Sequence, residues 1–317
     1  MDYRIKNITN WYLKNRKNIQ KMYLSVKIPK KNGKLRTLEI PNPIIDSCQR
    51  IIKKYLSEVL TCSSFAAAYQ KGKNMKNVAY EHADKKLLLK LDIKDFFGNI
   101  TVDLIKDKVF DCEEGDVLAE LCCCNGHLPQ GACTSPIISN LVMRDFDNEL
   151  GQFCMKYSIN YSRYSDDMIF SGDFNPGMVI RKVRELLHEM NMQINAEKTV
   201  IAGKGSRQMV LGIVVNEKVQ LSSEYRRKIR QEVYYCSKYG VVNHILKSNV
   251  EKFIFRDAEN NVLSVNAIGY MRALMGKINY ALYVNPDDLK MKEAKKTIHG
   301  LWAWYKKEEE KMQNKRL

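Results

Sequence analysis

The sequence predicts an α+β fold in which antiparallel strands carry helices on one face and a mostly helical segment follows them. Three observations predict it. An apolar run from Leu87 to Leu91 ends in Asp92 and reads as a buried central strand. The strand formers Ile159, Tyr161 and Tyr164, then Met168, Ile169 and Phe170, flank Ser165-Asp166-Asp167 and read as a tight β-hairpin. Apolar residues at helical spacing recur between these elements, and the pattern is mostly helical from Ser222 onward.

In chain order, residues 1–25 read as a basic helix on which Ile8, Trp11, Tyr12 and Ile19 form a partial apolar stripe. Residues 35–40 read as a strand. A helix over 43–60 places Ile44, Ile51, Ile52, Tyr55 and Leu56 on its inner face. After the strand 87–92 comes a helix over 102–110. Leu128-Pro129-Gln130-Gly131 reads as a turn opening a helix over 134–143. A helix over 177–191 follows the hairpin, with Val179, Val183, Leu186, Leu187 and Met190 at helical spacing. Strands near 209–215 and 218–221 are joined by a turn at Asn216. There is no internal repeat, and the run KKEEEKMQNKRL reads as a fraying, solvated end.

Adjacent Asp166 and Asp167 at a turn have a simple explanation, since Asp favours turns for local hydrogen-bonding reasons. Asp92 changes the weight, because an Asp at the end of a central strand sits where open sheets bind ligands. If the three carboxylates converge within about 4 Å, each pair repels by about 4 kcal/mol at an effective dielectric of 20, so the cluster requires cations. Two divalent metals held this way are the machinery of nucleotidyl transfer, and hard oxygen ligands favour Mg²⁺ over zinc.

The net charge is +16, distributed as +9 over residues 1–40, −1 over 41–221 and +8 over 222–317. A near-neutral middle carrying the carboxylates, between two cationic arms, fits a phosphate-gripping enzyme. In the last segment Tyr225-Arg226-Arg227-Lys228-Ile229-Arg230, Tyr270-Met271-Arg272 and Lys277 combine cations with rings, which suits a stem-loop with splayed bases. No stretch reaches the roughly 18 uninterrupted apolar residues of a membrane span, and the N-terminus lacks a signal-peptide core, so a cytoplasmic location is expected. An odd number of cysteines, nine, at irregular spacing fits a reducing compartment. Cys122-Cys123-Cys124 with His127 lacks a second Cys-x-x-Cys pair and reads as buried helix cysteines rather than a zinc site.

The ordered series NGKLRTLEIPNP (32–43), AYQKGK (68–73), LKLDIKDFF (89–97), LPQGACTSPIISNLV (128–142), YSDD (164–167), NAEKT (195–199) and VLGIVVN (210–216) resembles the motif series of bacterial reverse transcriptases, most closely the retron type. The likeness covers nearly the whole chain. It departs at Ser165, where the family has Ala, at Cys133, where it has Pro, and at Leu211, where it has Thr. An expected Asn-Ala-x-x-His element appears as 78–82, ending in His82, with Asn77 displaced by one.

The resemblance implies a right-hand polymerase. Residues 1–86 would be the N-terminal basic region and fingers, 87–221 the palm with part of the fingers (111–150) inserted, and 222–317 a helical, RNA-binding thumb. It implies that Asp92, Ile93, Asp166 and Asp167 hold two Mg²⁺ ions and that Lys198 protonates pyrophosphate. Lys34 and Arg36 would grip the triphosphate, and Phe97 would lie under the incoming sugar and exclude a 2′-hydroxyl. Gln130 would sit near the nascent base pair. Gly131, Tyr164, Leu211 and Gly212 would face primer and template, Gly131 where backbone approaches nucleic acid. Arg163 suits any of several phosphate contacts. Arg226, Arg227, Arg230, Tyr270, Arg272 and Lys277 are the candidate RNA-binding residues of the thumb. The activity implied is RNA-templated DNA synthesis from dNTPs, copying a cognate structured non-coding RNA from an internal 2′-hydroxyl into a branched RNA–DNA product. An effector or toxin protein and a role in phage defence are expected partners of such a system. The alternatives are an intron-maturase or diversity-generating reverse transcriptase, or a silent RNA-binding scaffold, against which the intact carboxylates argue.

Overall fold

The computed structural model describes residues 3–29, 33, 35–110 and 112–314. The chain divides into two compact units, residues 1–208 and 209–317. The strands expected at the end of the palm, over 209–221, fall in the second unit by this division.

The first unit opens with α1 (Tyr3–Asn15), which buries Ile5, Ile8 and Tyr12. The helix expected over 1–25 stops at Asn15, and a 3₁₀ stretch, Arg16–Met22, leads into a strand that the sequence reading missed. That strand, β1 (Tyr23–Pro29), pairs antiparallel along its whole length with β2 (Leu35–Pro41). Pairing with the next strand overrides the helical reading for Tyr23, Leu24 and Ser25, the part of YLSVKIP inside the expected helix. In α2 (Pro43–Val59) the Asn42 side chain accepts from the Ile44 and Ile45 amides, and Pro43 occupies the first turn, where it costs no hydrogen bond. Ile44 is 53% exposed and Ile45 fully buried, so the inner face begins one residue later than expected. A short α3 (Met75–Glu81) precedes the central strand.

That strand, β3 (Leu87–Asp92), lies inside a four-stranded antiparallel sheet of order β4-β5-β3-β6. Around it in sequence stand α4 (Val102–Val109), α5 (Gly115–Leu121), α6 (Ser135–Val142), α7 (Arg144–Lys156), β4 (Asn160–Tyr164), β5 (Asp167–Gly172), α8 (Pro176–Glu189) and β6 (Val200–Gly203). The register decides the two faces. Leu91 pairs with Met168 and Leu89 with Phe170, and Tyr161 also pairs with Phe170. These side chains join one core cluster with Ile138, Leu150, Val179 and Val183 of the helices. Side chains alternate along a strand, so Asp92, Asp167 and Tyr164 must all lie on the opposite face.

The second unit begins with β7 (Met209–Val210), β8 (Ile213–Val214) and β9 (Gln220–Leu221), a three-stranded meander. The single strand expected near 209–215 is therefore two, folded back at Leu211-Gly212. Helix α9 (Ser223–Tyr239) starts at an N-cap, Ser222, whose hydroxyl accepts from the Tyr225 amide. Then follow α10 (Val241–Lys247), the hairpin β10 (Ile254–Arg256) and β11 (Val262–Val265), α11 (Ala267–Val284) and α12 (Leu289–Asn314). The hairpin is an addition to the mostly helical reading. Ile229, Val233, Ile245, Met271, Leu274 and Ile278 are buried in this unit.

Candidate active site

Asp92 and Asp167 are direct cross-strand partners at the end of β3 and β5. Residues opposed in this way share a face with Cβ atoms about 4.5–5.5 Å apart. Tyr164 pairs with Asp167, which leaves Ser165 and Asp166 as the two-residue turn of the hairpin. Ser165 has φ 61°, while Asp166 has no positive φ. That sign pattern belongs to a type II′ turn, whose twist matches the flanking strands. The Asp166 carbonyl accepts from the Ile93 amide at 3.0 Å, which ties the turn to the residue following β3.

The electrostatics are those of a site with excess negative charge. Burial first, then repulsion from Asp92 and Asp167, raises the Asp166 carboxyl above the ordinary carboxylate value, while its own backbone hydrogen bond and Lys198 pull it down. Burial also raises Asp167, with Asp92 adding to the shift and Lys90 and Lys198 opposing it. Asp92 is 4% exposed. Lys198 Nζ donates to its Oδ2 at 2.7 Å and Asn195 Nδ2 to its Oδ1 at 3.1 Å. Among the described residues no three His, Cys, Asp or Glu side chains are assembled as a metal-binding group. The three carboxylates nonetheless offer hard oxygen donors and repel one another, which fits a divalent cation in donor chemistry. Closing them around one requires Lys198 to release Asp92. The Lys198 side chain is 59% exposed and so free to swing into solvent, while the Asp92 side chain stays 6% exposed.

Three side chains fix the hairpin, Arg163 from the helix-covered face and His82 from the carboxylate face. Arg163, fully buried, grips Asp147 of α7 and reaches the Ser165 carbonyl. It is thus no phosphate ligand, because no solvent reaches it. His82, directly after α3, contacts Ser171 Oγ of β5 through Nδ1 at 2.7 Å and Ser162 Oγ of β4 through Nε2 at 2.5 Å. Burial pushes its pKa down to about 4, with Lys85 adding to the effect, so the ring is neutral and bridges the two strands. Tyr69, itself at φ 62°, donates its hydroxyl to Ser165 Oγ at 3.2 Å.

Residues 28–220 match the family model for reverse transcriptase (RNA-dependent DNA polymerase). The chain belongs to this family. It is 33% identical over 234 residues to the retron Ec83 reverse transcriptase of Escherichia coli, covering 67% of this chain and 75% of that one. It is 30% identical over 234 residues to the retron Mx65 reverse transcriptase of Myxococcus xanthus, covering 66% of this chain and 54% of that one. The chain thus spans about half the length of the Mx65 relative. Among solved structures it is similar to apo telomerase from Candida tropicalis truncated from its C-terminal domain, at TM-score 0.47 and 14% identity over 68% of this chain and 59% of that one. Reverse transcriptases generally use divalent metal ions, as the acidic site of this one demands.

The remaining candidate residues of this reverse transcriptase separate by burial. Arg36 is exposed on β2, and Lys34 lies outside the described residues. Phe97 is half-buried and meets Phe96 edge-on at a centroid distance of 5.3 Å. The Gln130 carbonyl accepts from the Glu39 amide at 3.1 Å, and a Cβ on Gly131, at φ 151°, would stand 2.7 Å from the Glu39 carbonyl oxygen. The Glu39 backbone therefore crowds Gly131 whatever else approaches it. Leu211 (φ 49°) and Gly212 (φ 84°) form a two-residue turn with both residues left-handed, the type I′ pattern. Leu211 is thus a turn residue and not simple core.

In the second unit three of the expected RNA contacts are spent internally. Arg226 donates to Asp288 and to the Leu221 carbonyl, both at 3.1 Å. Lys277 is bound to Glu232 at 2.8 Å. Tyr270 is 5% exposed and bonded to His244 at 2.9 Å, so its ring cannot stack on a base. Arg227 is exposed and Arg230 partly so, and Arg272 is exposed over the Trp302 ring. Lys238 lies over the exposed rings of Tyr234 and Tyr239, cation and aromatic together on α9, which the sequence reading passed over. The signal was present, since Arg227, Gln231, Tyr234 and Lys238 recur at helical spacing.

Proposed function

We propose that this chain copies a structured cognate RNA into DNA from dNTPs with two Mg²⁺ ions. Priming is from an internal 2′-hydroxyl of that RNA, so the product is the branched RNA–DNA hybrid of a retron. The single observation that supports the chemistry is the Asp92–Asp167 cross-strand pair beside the Asp166 turn, three carboxylates at one sheet edge whose crowded charge calls for cations. When bound, Mg²⁺ supplies activation of the attacking 3′-oxygen and neutralisation at the leaving pyrophosphate. The side chains of this chain perform the rest. Asp92, Asp166 and Asp167 orient the charge, the Ile93 backbone seats the turn, and Lys198, released from Asp92, is in place to protonate pyrophosphate. Phe97 closes the space at the sugar, Gln130 lies by the nascent pair, and Arg36 serves the triphosphate.

The retron reading is supported by the Ec83 and Mx65 relatives and by the basic ends of the chain. It carries with it a cytoplasmic setting, an effector protein and a role in phage defence. No described helix is long and apolar enough to cross a membrane. Two measurements test this function. In primer extension with Mg²⁺, Asp167→Asn abolishes incorporation while the protein folds and binds RNA; near-wild-type extension would remove Asp167 from the site. Sequencing of nucleic acid that co-purifies with the wild type should return one structured RNA joined through a 2′ linkage to DNA, and a heterogeneous pool of unlinked RNA would refute the retron reading.

A further inference from the structure

Arg163 is a charged residue inside a strand whose neighbours alternate between core and site. The register places it on the helix-covered face, one step from Tyr164 on the carboxylate face. It is fully buried, as is Asp147. Its Nε and Nη2 donate to Asp147 Oδ1 and Oδ2 at 2.8 and 2.6 Å, Nη2 also reaches Asn140 Oδ1 of α6 at 3.2 Å, and Nη1 donates to the Ser165 carbonyl at 2.9 Å. Tyr161 donates its hydroxyl to Asp147 Oδ1 at 2.8 Å. Arg163 is joined at its backbone to the segment before α3, its amide donating to the Phe65 carbonyl and its carbonyl accepting from Ala67. Asn140 closes the loop by donating to the Ala68 carbonyl at 2.8 Å.

Stability alone does not call for this arrangement, because a buried ion pair of this kind is often matched or bettered by apolar side chains of equal volume. An apolar pair has no donor for a turn carbonyl. Both carbonyls of the two-residue turn are held: Ser165 by the guanidinium, and Asp166 by the Ile93 amide. Asp166 lies between those two anchors.

We propose that Arg163 is a positioning residue for the acidic site, with Asp147 and Asn140 orienting the guanidinium so that it fixes the turn that presents Asp166. This rests on the polymerase function proposed above. Lysine retains the charge but has neither the planar fork nor the reach to serve Asp147, Asn140 and Ser165 together.

The test uses the full chain and has a readout independent of synthesis. In metal-free Arg163→Lys, hydrogen exchange at the Ile93 amide, whose acceptor is the Asp166 carbonyl, should accelerate by roughly tenfold to a hundredfold, the opening expected on loss of one charge-assisted hydrogen bond. Amides in the middle of α8 should change much less. Mn²⁺ binding followed by electron paramagnetic resonance should weaken in parallel, and kcat for extension of a generic primer–template should fall while its Kd stays within about twofold. Unchanged Ile93 exchange in a folded variant, or an equal rise in α8, overturns the proposal. If Arg163→Lys does not fold, Asn140→Ala decides. Removing the second side-chain acceptor of the guanidinium should speed Ile93 exchange and weaken Mn²⁺ binding by a smaller factor, and no change in either would refute the role. A wild type that incorporates no nucleotide with Mg²⁺ or Mn²⁺ would defeat the polymerase reading instead, and the exchange result would be unaffected.

Discussion

His82 makes the stability of the catalytic hairpin depend on pH, and the size of the effect follows from its burial. The ring is fully buried between Ser162 and Ser171, and its pKa is pushed down to about 4 from an unfolded value of 6.5. A base whose folded pKa is depressed binds fewer protons folded than unfolded, so its contribution is intact above the unfolded pKa and is lost as pH falls toward the folded one. Between pH 7 and pH 4.5 the unfolded ring becomes about 99% protonated while the folded ring stays mostly neutral, which costs the fold about 2.5 kcal/mol by linkage. His82→Gln removes this term while leaving a side chain that both donates and accepts. The variant should be less stable than wild type at pH 7 by about 1–3 kcal/mol, since the serines lose well-placed partners. That gap should narrow by about 2.5 kcal/mol at pH 4.5. Asp166 and Asp167 also titrate, in the opposite direction, but they are common to both proteins and cancel in the difference. Urea unfolding read by hydrogen exchange in β4 and β5 peptides isolates the first unit. Parallel stability–pH curves for the two proteins would show that His82 titrates in the folded protein as it does unfolded, and the linkage would fail.

Further outcomes follow from the same geometry. Asp167→Asn, inactive in extension, should raise the melting temperature of the metal-free protein at neutral pH, because burial and Asp92 disfavour the wild-type charge; added Mg²⁺ should stabilise wild type more than the variant, and calorimetry with and without metal checks both. Phe97→Val should raise ribonucleotide incorporation relative to deoxynucleotide, measured as a ratio of kcat/KM values, and an unchanged ratio would make Phe97 only a packing partner of Phe96. Replacing Arg227 and Arg230 by Ala should lower the log–log salt slope of cognate RNA binding by about 1.4–1.8, two phosphate contacts at about 0.7–0.9 each. Arg226→Ala should leave that slope alone and lower the melting temperature, because its partners are Asp288 and the Leu221 carbonyl.

The site was legible where one local rule acted alone. The apolar run 87–91 and the strand formers on either side of Ser165-Asp166 are enough to name all three strands, and a run ending in Asp92 leaves that carboxylate at a strand end whatever the partner strand is. What the sequence could not supply is the register. Only the pairing of Leu91 with Met168 puts Asp92 opposite Asp167, and a slip of one residue would send one of the two carboxylates into the core. The missed β1 is a related case. YLSVKIP is strand-like by composition, but it lacks a clean alternation, and only its antiparallel register with β2 marks it as a strand. Leu211 hid the break in the strand expected near 209–215, since an apolar residue between Val210 and Gly212 continues a strand pattern, whereas the backbone needs two left-handed residues there to reverse it.

Arg163, Arg226 and Tyr270 share a deeper reason for being held inside the protein. A cation or a ring in a basic chain reads as a hand held out to phosphate, and nothing in the linear sequence says that Asp147, Asp288 and Glu232 stand ready to take it. Each of these acids comes from a different element of the same unit, so the competition between internal partner and ligand is decided only by tertiary structure. Where the acid wins and the pair is buried, the cation becomes a device for holding backbone. Where no such acid intervenes, as along the exposed side of α9 with Arg227, Tyr234 and Lys238, the composition argument for nucleic acid retains its force. The net charge of +8 after Ser222 therefore overstates the surface available to RNA, and the contacts that distinguish a cognate stem-loop must be drawn from the smaller set of residues that the fold leaves exposed.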